Sequence, residues 1–386
     1  MSFKLIFSVI LAISNLMTKT KVLHVTSVHR VNDVRIYERE CRSLVESGLY
    51  EVSILGHGLL PLDARVEHIA LKAPSRSRLL RLFLSNIRVA SAIRRVDFDI
   101  YHFHDPELLP TALLLSMVGR TVIWDSHEDY LSQFSPSGAK AYIPALLRPI
   151  TRFGLRFLLR QVDRRVAGVI CSTPTIAKSY SKSELAVVGN EARTQDLENC
   201  EPQFENKRLL VISNNPDLHL VRELIEVFKI LPYGTIALAG LRKPLTYEAD
   251  KEELADRLVY LGWLDRQQLA SEISRSSVGA VTYRDNPSYR DASPTKAYEF
   301  AAAGLPIIAS PNHMNVKILN QGAFGLTSNG YSSGDFVDPI TNLFTDKELW
   351  SELSEKGRIW SRDDGSWERS ESELLKFYRA LSTQDH

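Results

Sequence analysis

A chain of 386 residues is two to three times the usual domain length of roughly 150, which points to two domains. Its 44% hydrophobic and 24% charged content is ordinary for a globular protein and excludes disordered, collagen-like and polytopic membrane classes. The 47 Lys and Arg nearly balance the 46 Asp and Glu, leaving a net charge of +1, so the chain is no bulk polycation. The balance hides a split: residues 1–200 carry 26 basic and 19 acidic side chains, residues 201–386 carry 21 and 27. The basic half is the candidate for an anionic surface. Cys41, Cys171 and Cys200 are too few and too scattered for a disulfide scaffold or a zinc site and indicate a reducing compartment.

At the N-terminus Lys4 precedes the apolar run LIFSVILAI (5–13), far short of the ~20 residues a spanning helix needs. Three readings stay open: a true start at Met17, a short membrane-surface anchor, or a cleaved signal peptide.

From residue 21 onward, apolar runs alternate with helical patterns, the rhythm of an α/β protein with parallel sheets. The first series of strands is expected at KVLHVTS (21–27), YEVSILG (50–56), DIYHFH (99–104), RTVIWDS (120–126) and AGVICS (167–172). A helix over 36–47 ends at Gly48. The second series runs through RLLVIS (208–213), GTIALAG (234–240), RLVYLGW (257–263), VGAVTY (278–283), LPIIAS (305–310) and AFGLTS (323–328). The polar stretch 190–207 reads as a linker, and 367–382 as an amphipathic helix. The expected organisation is therefore an apolar extension (1–20), an N-terminal domain (21–189), a linker (190–207), a C-terminal domain (208–365), and a closing helix and tail (366–386). Two such nucleotide-fold domains facing a cleft place ligands at the carboxyl ends of their strands, so the loops after each strand carry the information.

The most informative loop is RDNPSYRDASPTKAYEFAAAGLPIIAS (284–310). Ser293 is placed to cap a helix that begins at Pro294 and runs to Gly304. The N–H groups of that helix start, the positive dipole end and Lys296 form a phosphate site. Glu299 sits inside the helix and Asp291 eight residues earlier, flanking the pocket as a diphosphate with hydroxyls on both sides would require. The plain alternative is a capped helix whose Glu299 only meets solvent.

SPTKAYEFAAAGLPIIAS resembles the signature of retaining glycosyltransferases of the GT-B fold, glycosyltransferase family 4. The likeness extends to HFHDPELLP (102–110), WDSHEDY (124–130), YLGWLDRQQL (260–269) and SWERSESELLKFY (366–378). It implies two Rossmann-like domains, with the last helix returning to the first domain, and transfer of a sugar from a nucleotide donor with retention. It also implies that Glu299 grips the ribose and that Asp291, standing where the family has glutamate, contacts the sugar. Thr295, Lys296 and the amides after Ser293 would hold the diphosphate, and His127 would lie beside the transferred sugar with Glu128 and Asp129 around it. The family's Arg and Lys after the first strand of the C-terminal domain are missing here: RLLVISNNPDLHLVREL (208–224) offers Asn214 and His219. Arg222, Arg242, Lys243 or Arg284 would have to substitute, or catalysis is weak.

On the acceptor side, His104 and Asp105 end one strand, and the loop TSVHRVNDVRIYER (26–39) supplies His29, Asp33 and Arg35. These three would bind an acceptor phosphate, unless Asp33 simply caps a helix. That loop has no glycine pair, so it is no dinucleotide fingerprint. Asp97-Phe98-Asp99 precedes its strand and reads as strand-entry solvation, so no metal and no other cofactor are expected.

Arg148, Arg152, Arg156 and Arg160 recur every four residues beside Ile, Phe and Leu, a pattern suited to an anionic bilayer; a solvated helix face is the alternative. No nucleic-acid motif accompanies the charge. The expected function is sugar transfer from a UDP- or GDP-sugar to a glycan or lipid-linked glycan, as in surface-polysaccharide assembly. The expected location is the cytoplasm, peripheral on the inner face of the membrane. A nucleotide-sugar 2-epimerase and an inactive partner subunit are the alternatives.

Overall fold

The computed structural model describes residues 19–62, 64–75, 77–131, 144–181, 183–241, 252–286 and 292–382. In chain order the described strands of the first half are β1 (Thr20–Arg30), β2 (Tyr50–His57), β3 (Glu67–Ala70), β4 (Ile100–Phe103), β5 (Thr121–Ser126), β6 (Gly168–Cys171) and β7 (Glu184–Val187). Those of the second half are β8 (Arg208–Ile212), β9 (Thr235–Ala239), β10 (Leu258–Gly262), β11 (Val278–Val281), β12 (Ile307–Ala309) and β13 (Gly325–Thr327). They form two sheets, in the orders β3-β2-β1-β4-β5-β6-β7 and β10-β9-β8-β11-β12-β13, with every pairing parallel. This is the doubly wound, Rossmann-like α/β architecture expected from the alternation of strands and helices. β3 and β7 were not expected: both are sheet edges, and their half-exposed EHIA and ELAV sequences lack an apolar run.

The chain divides into two compact units. The first comprises Met1–Tyr130, Pro149–Val188 and Glu371–His386; the second comprises Leu131–Arg148 and Gly189–Ser370. In each sheet the strand order reverses at the first strand of its series: β1 lies between β2 and β4, β8 between β9 and β11. Such reversals open a crevice at the carboxyl ends of the strands.

In the first unit β1 pairs with β4 so that His24 faces His102. Between Val25 and Arg30 the β1–β2 register shifts, and Thr26–His29 form this irregular end of β1. The expected helix over 36–47 begins earlier and is wider. It is π-helical over Val34–Cys41, then α-helical over Arg42–Glu46. The wider turn brings Arg35 and Glu40 to one inward face, with Arg35 Nε 3.3 Å from Glu40 Oε1. The final helix, Trp367–Ser382, contributes Phe377 and Tyr378 to this unit. A Cβ on Gly168 would stand 2.4 Å from the Phe377 ring, so the glycine in β6 is what admits the aromatic side chain.

In the second unit the helix Thr295–Ala303 ends at Gly304 in the left-handed region, φ +67°, a conformation glycine adopts without strain. Its small face, Ala301–Ala303, lets the helix Lys347–Arg362 approach closely, with Gly357 at the contact. Trp360 stacks on Tyr298 and Phe324 at 5.3 and 5.1 Å between ring centroids. Burying each such ring stabilises by ~1.5–3 kcal/mol, which anchors the helix start beside β11. The 190–207 stretch, read from sequence as a linker, is built into this unit: Ala192, Leu197 and Cys200 are buried in its core.

Candidate active site

At the carboxyl ends of β8 and β11 four elements converge. His219, in the loop after β8, is buried; its Nδ1 lies 2.8 Å from Ser213 Oγ and 3.5 Å from Lys296 Nζ. Thr282, just past β11, donates to the His219 carbonyl at 2.6 Å. Tyr283 meets the His219 ring edge-on, and Lys296 Nζ lies over the Tyr283 ring at 5.4 Å. Burial, and then the Lys296 charge, pull the His219 imidazole down to about 3. Burial pulls the Lys296 ammonium down to about 7, with Glu299 opposing the shift. A group so poised takes up a proton when an anion arrives.

One turn further along the helix, Glu299 is buried, and its Oε1 accepts from Arg266 Nη1 at 2.5 Å. Arg266 Nη2 also reaches Asp196 Oδ2 at 3.5 Å. Glu299 therefore does not merely meet solvent; it is a carboxylate aimed by a fixed guanidinium. Arg266 was not singled out in the sequence, because it lies 33 positions from its partner.

Several sequence expectations need correction here. The helix cap is Pro294, without a side-chain cap, and the Ser293 hydroxyl instead donates to Tyr298 Oη at 3.2 Å. Arg284 is committed elsewhere, to the Asp217 carbonyl and the Glu223 carboxylate. Arg222 lies exposed on the first turn of the helix Val221–Ile230. Asp291, Arg242 and Lys243 lie outside the described residues. Among the described residues, Lys296 is thus the expected cation that the fold brings to the β8–β11 strand ends.

In the first unit two buried carboxylates organise the strand ends. Asp105 Oδ2 accepts from Thr26 Oγ1 at 2.8 Å and from the Ser27 and Val28 amides at 2.6 and 2.8 Å. Its Oδ1 lies 2.6 Å from His29 Nδ1. Burial opposes both charges, yet the His29 bond and these amides hold the Asp105 carboxyl well below its ordinary range. Asp105 in turn raises His29 to about 10. Asp125, at the end of β5, takes Arg35 through both oxygens, Nε–Oδ2 at 3.0 Å and Nη2–Oδ1 at 2.9 Å. Its Oδ2 also lies 3.0 Å from His104 Nδ1 and 3.1 Å from His127 Nδ1. With Nδ1 so engaged, the Nε2 edge of His127 is the one a ligand can use. The His29 and His127 rings meet edge-on at 5.3 Å.

Of the acceptor-side residues expected from sequence, His29 and Glu128 reach the surface, as does His127, expected beside the sugar. His104 and Asp105 are fully buried and Arg35 nearly so, which makes them positioning groups and not acceptor contacts. Asp33 caps the π-helical turn, accepting from the Arg35 and Ile36 amides, as its plainer reading required. Asp97 pairs with Arg120, and Asp99 accepts the Lys21 amide, the strand-entry role assigned to them. Asp125 itself was missed: it sits inside a strand, where sequence offers only an apolar run with one acid in it.

Two family models match. Glycosyltransferase Family 4 matches residues 34–188, and Glycosyl transferases group 1 matches residues 203–360, so together they span most of the chain. The chain belongs to the group 1, family 4 glycosyltransferases. Its fold is that of GT-B enzymes. Sucrose-phosphate synthase from Thermosynechococcus elongatus superposes with a TM-score of 0.74 at 16% identity, covering 95% of this chain and 100% of the other. WaaG, a glycosyltransferase involved in lipopolysaccharide biosynthesis, gives 0.67 at 13% identity over 92% and 98%. HepE of Anabaena in complex with UDP-glucose gives 0.67 at 11% identity over 93% and 99%. No curated protein sequence matches this chain at a significant level.

The His29–Asp105 pair sets a pH window. A depressed carboxyl stabilises above the ordinary carboxylate range and loses that contribution in acid; a raised imidazole stabilises fully below about 6.5 and loses it as pH climbs through about 10. Asp105→Asn is expected to cost ~3 kcal/mol or more in urea unfolding. The same substitution returns the His29 titration, followed by NMR, to the ordinary imidazole range.

Proposed function

We propose that this glycosyltransferase takes a UDP- or GDP-linked sugar and transfers it, with retention, to a glycan carried at a membrane surface, as in surface-polysaccharide assembly. The observation that carries the reading is the joint placement of Lys296 and Glu299 on one helix whose start lies at the β8–β11 reversal. The helix start and Lys296 suit the diphosphate, and Glu299, oriented by Arg266, suits the ribose hydroxyls. The neighbour HepE, described with UDP-glucose, supports a nucleotide-sugar donor.

The chemistry then runs on one face of the sugar. The bond from the anomeric carbon to the donor phosphate breaks, the acceptor hydroxyl oxygen bonds to that carbon, and its proton passes to the departing phosphate oxygen. No protein base is required. The protein positions the partners and stabilises charge on the leaving group. In this reading His127, its ring fixed by Asp125, and Asp291 are the residues assigned to the sugar. Lys296 replaces the missing Arg and Lys pair, so no metal is needed at the diphosphate. Loss of one such stabiliser costs ~3–4 kcal/mol in the barrier.

The helix Arg148–Arg165 supports the membrane-proximal acceptor. Ile150, Phe153 and Phe157 are exposed on it at 68%, 74% and 55%, and Arg152, Arg156 and Arg160 are exposed beside them. Exposed rings flanked by cations suit a surface of anionic lipid. Among the described residues no helix is long and apolar enough to cross a bilayer. Peripheral attachment on the cytoplasmic face, where nucleotide sugars are available, follows from the same reading.

Calorimetry with UDP and GDP tests the donor site. At pH 8, binding takes up close to one proton per site as Lys296 is recharged; Lys296→Met abolishes the uptake, and Glu299→Ala weakens binding ~10- to 100-fold. Failure of both nucleotides to bind would instead mark a non-catalytic subunit. Turnover of donor without acceptor into an epimeric donor would mark a 2-epimerase.

Sedimentation with phosphatidylglycerol-rich vesicles tests the surface. Wild type pellets, and the triple change Arg152→Glu, Arg156→Glu and Arg160→Glu abolishes pelleting, each arginine being worth ~1 kcal/mol. Equal pelleting of the two proteins contradicts the membrane reading.

A further inference from the structure

Beneath the strand ends of the first unit lies a cluster that sugar transfer does not use. His24 from β1, His102 and His104 on and just past β4, and Glu40 from the π-helical turn each present one ligand atom, all within 4.8 Å of one another. All four side chains are fully buried. We propose that these four residues bind a divalent transition-metal ion, zinc by their donor set, as a structural centre.

Geometry and satisfaction both favour an ion. His24 Nδ1 lies 2.9 Å from His104 Nε2 and 4.0 Å from Glu40 Oε2. Tetrahedral zinc with bonds of 2.0–2.2 Å needs donors ~3.3 Å apart, so separations closing by up to about 1.5 Å complete the shell. Among the described residues, neither Glu40 oxygen accepts a hydrogen bond, and His102 Nε2 has no partner. Arg35 stands 3.3 Å from Glu40 Oε1, but both oxygens of Asp125 already hold it. A fully buried carboxylate so placed costs several kcal/mol unless a cation compensates it.

The surroundings also have the form of a metal site's outer shell. Asp125 Oδ2 lies 3.0 Å from His104 Nδ1, the carboxylate–histidine pairing that orients a ligating imidazole and leaves its Nε2 for the ion. Tyr378 Oη lies 2.8 Å from His102 Nδ1. Three imidazoles exclude Mg2+ and Ca2+, which want oxygen, and a closed, fully buried four-donor shell suits structural zinc over an open iron site. The ion would tie β1, β4 and the Val34–Cys41 turn together behind Asp125 and His127. The sequence expectation of no metal rested on discounting Asp97-Phe98-Asp99 and on the scatter of the three cysteines. This cluster is assembled from segments 16 and 62 positions apart, and only the His24–His102 register brings it together.

The test uses the full-length chain expressed with added zinc and desalted. Elemental analysis is expected to find close to one zinc per chain, and stripping it with dipicolinate lowers Tm by ~5 °C or more. Cobalt substitution gives visible ligand-field bands without thiolate charge transfer. Glu40→Gln and His102→Gln each lose the bound metal. If either variant fails to fold, the wild-type cobalt spectrum and the chelator-dependent Tm still decide. No retained metal after reconstitution, with Tm indifferent to zinc and chelator, overturns the proposal. So does metal that both folded variants keep, or a thiolate band implicating Cys41. UDP and GDP binding serves as an independent readout of the donor site, so failure here is distinguishable from failure of the transferase reading.

Discussion

Parallel sheets covered on both faces have interiors that tolerate polar groups only when those groups are paired. This constraint governs both units. Chemistry is pushed to the carboxyl ends of the central strands, where backbone leaves the ladder and side chains reach solvent. In the second unit that edge carries Ser213, His219, Thr282 and Lys296. In the first it carries the irregular end of β1, Thr26–His29, clamped by Asp105. Where polar groups lie deeper, they hold one another. Arg35 is spent on Asp125, and Asp125 fixes the His104 and His127 rings. A surface residue such as His127 is therefore aimed by a buried one that never meets substrate.

Electrostatics distinguishes the two edges. In the first unit the Thr26–His29 segment is already held by Asp105 before any ligand arrives. The second holds Lys296 near neutrality, pulled down by burial and incompletely supported by Glu299. A lysine held in this way takes up a proton when an anion comes beside it.

Much of this was legible in the sequence. Apolar runs such as RLLVI and TIALA announce buried strands, and Gly304 announces its helix end because only that conformation fits there. The edge strands β3 and β7 were hidden because solvent on their flanks removes the apolar signal. Individual loop residues were found, but their roles depend on partners at separations of 76 and 90 positions, as in His29–Asp105 and Arg35–Asp125. No local pattern records such pairs. His104 therefore read as an acceptor contact when it is a buried link, and Arg266 passed unnoticed. His102 is buried among polar neighbours and not in an apolar core.

The central claim is that the donor's diphosphate meets the chain at the start of the Thr295–Ala303 helix, opposite His219. Hydrogen–deuterium exchange of the full-length protein with and without UDP or GDP measures this directly. The account predicts that nucleotide slows exchange in peptides spanning 213–221 and 292–299, with little change in the edge strands β10 and β13. Protection confined to other segments, with these two unaffected while nucleotide is bound, would contradict it.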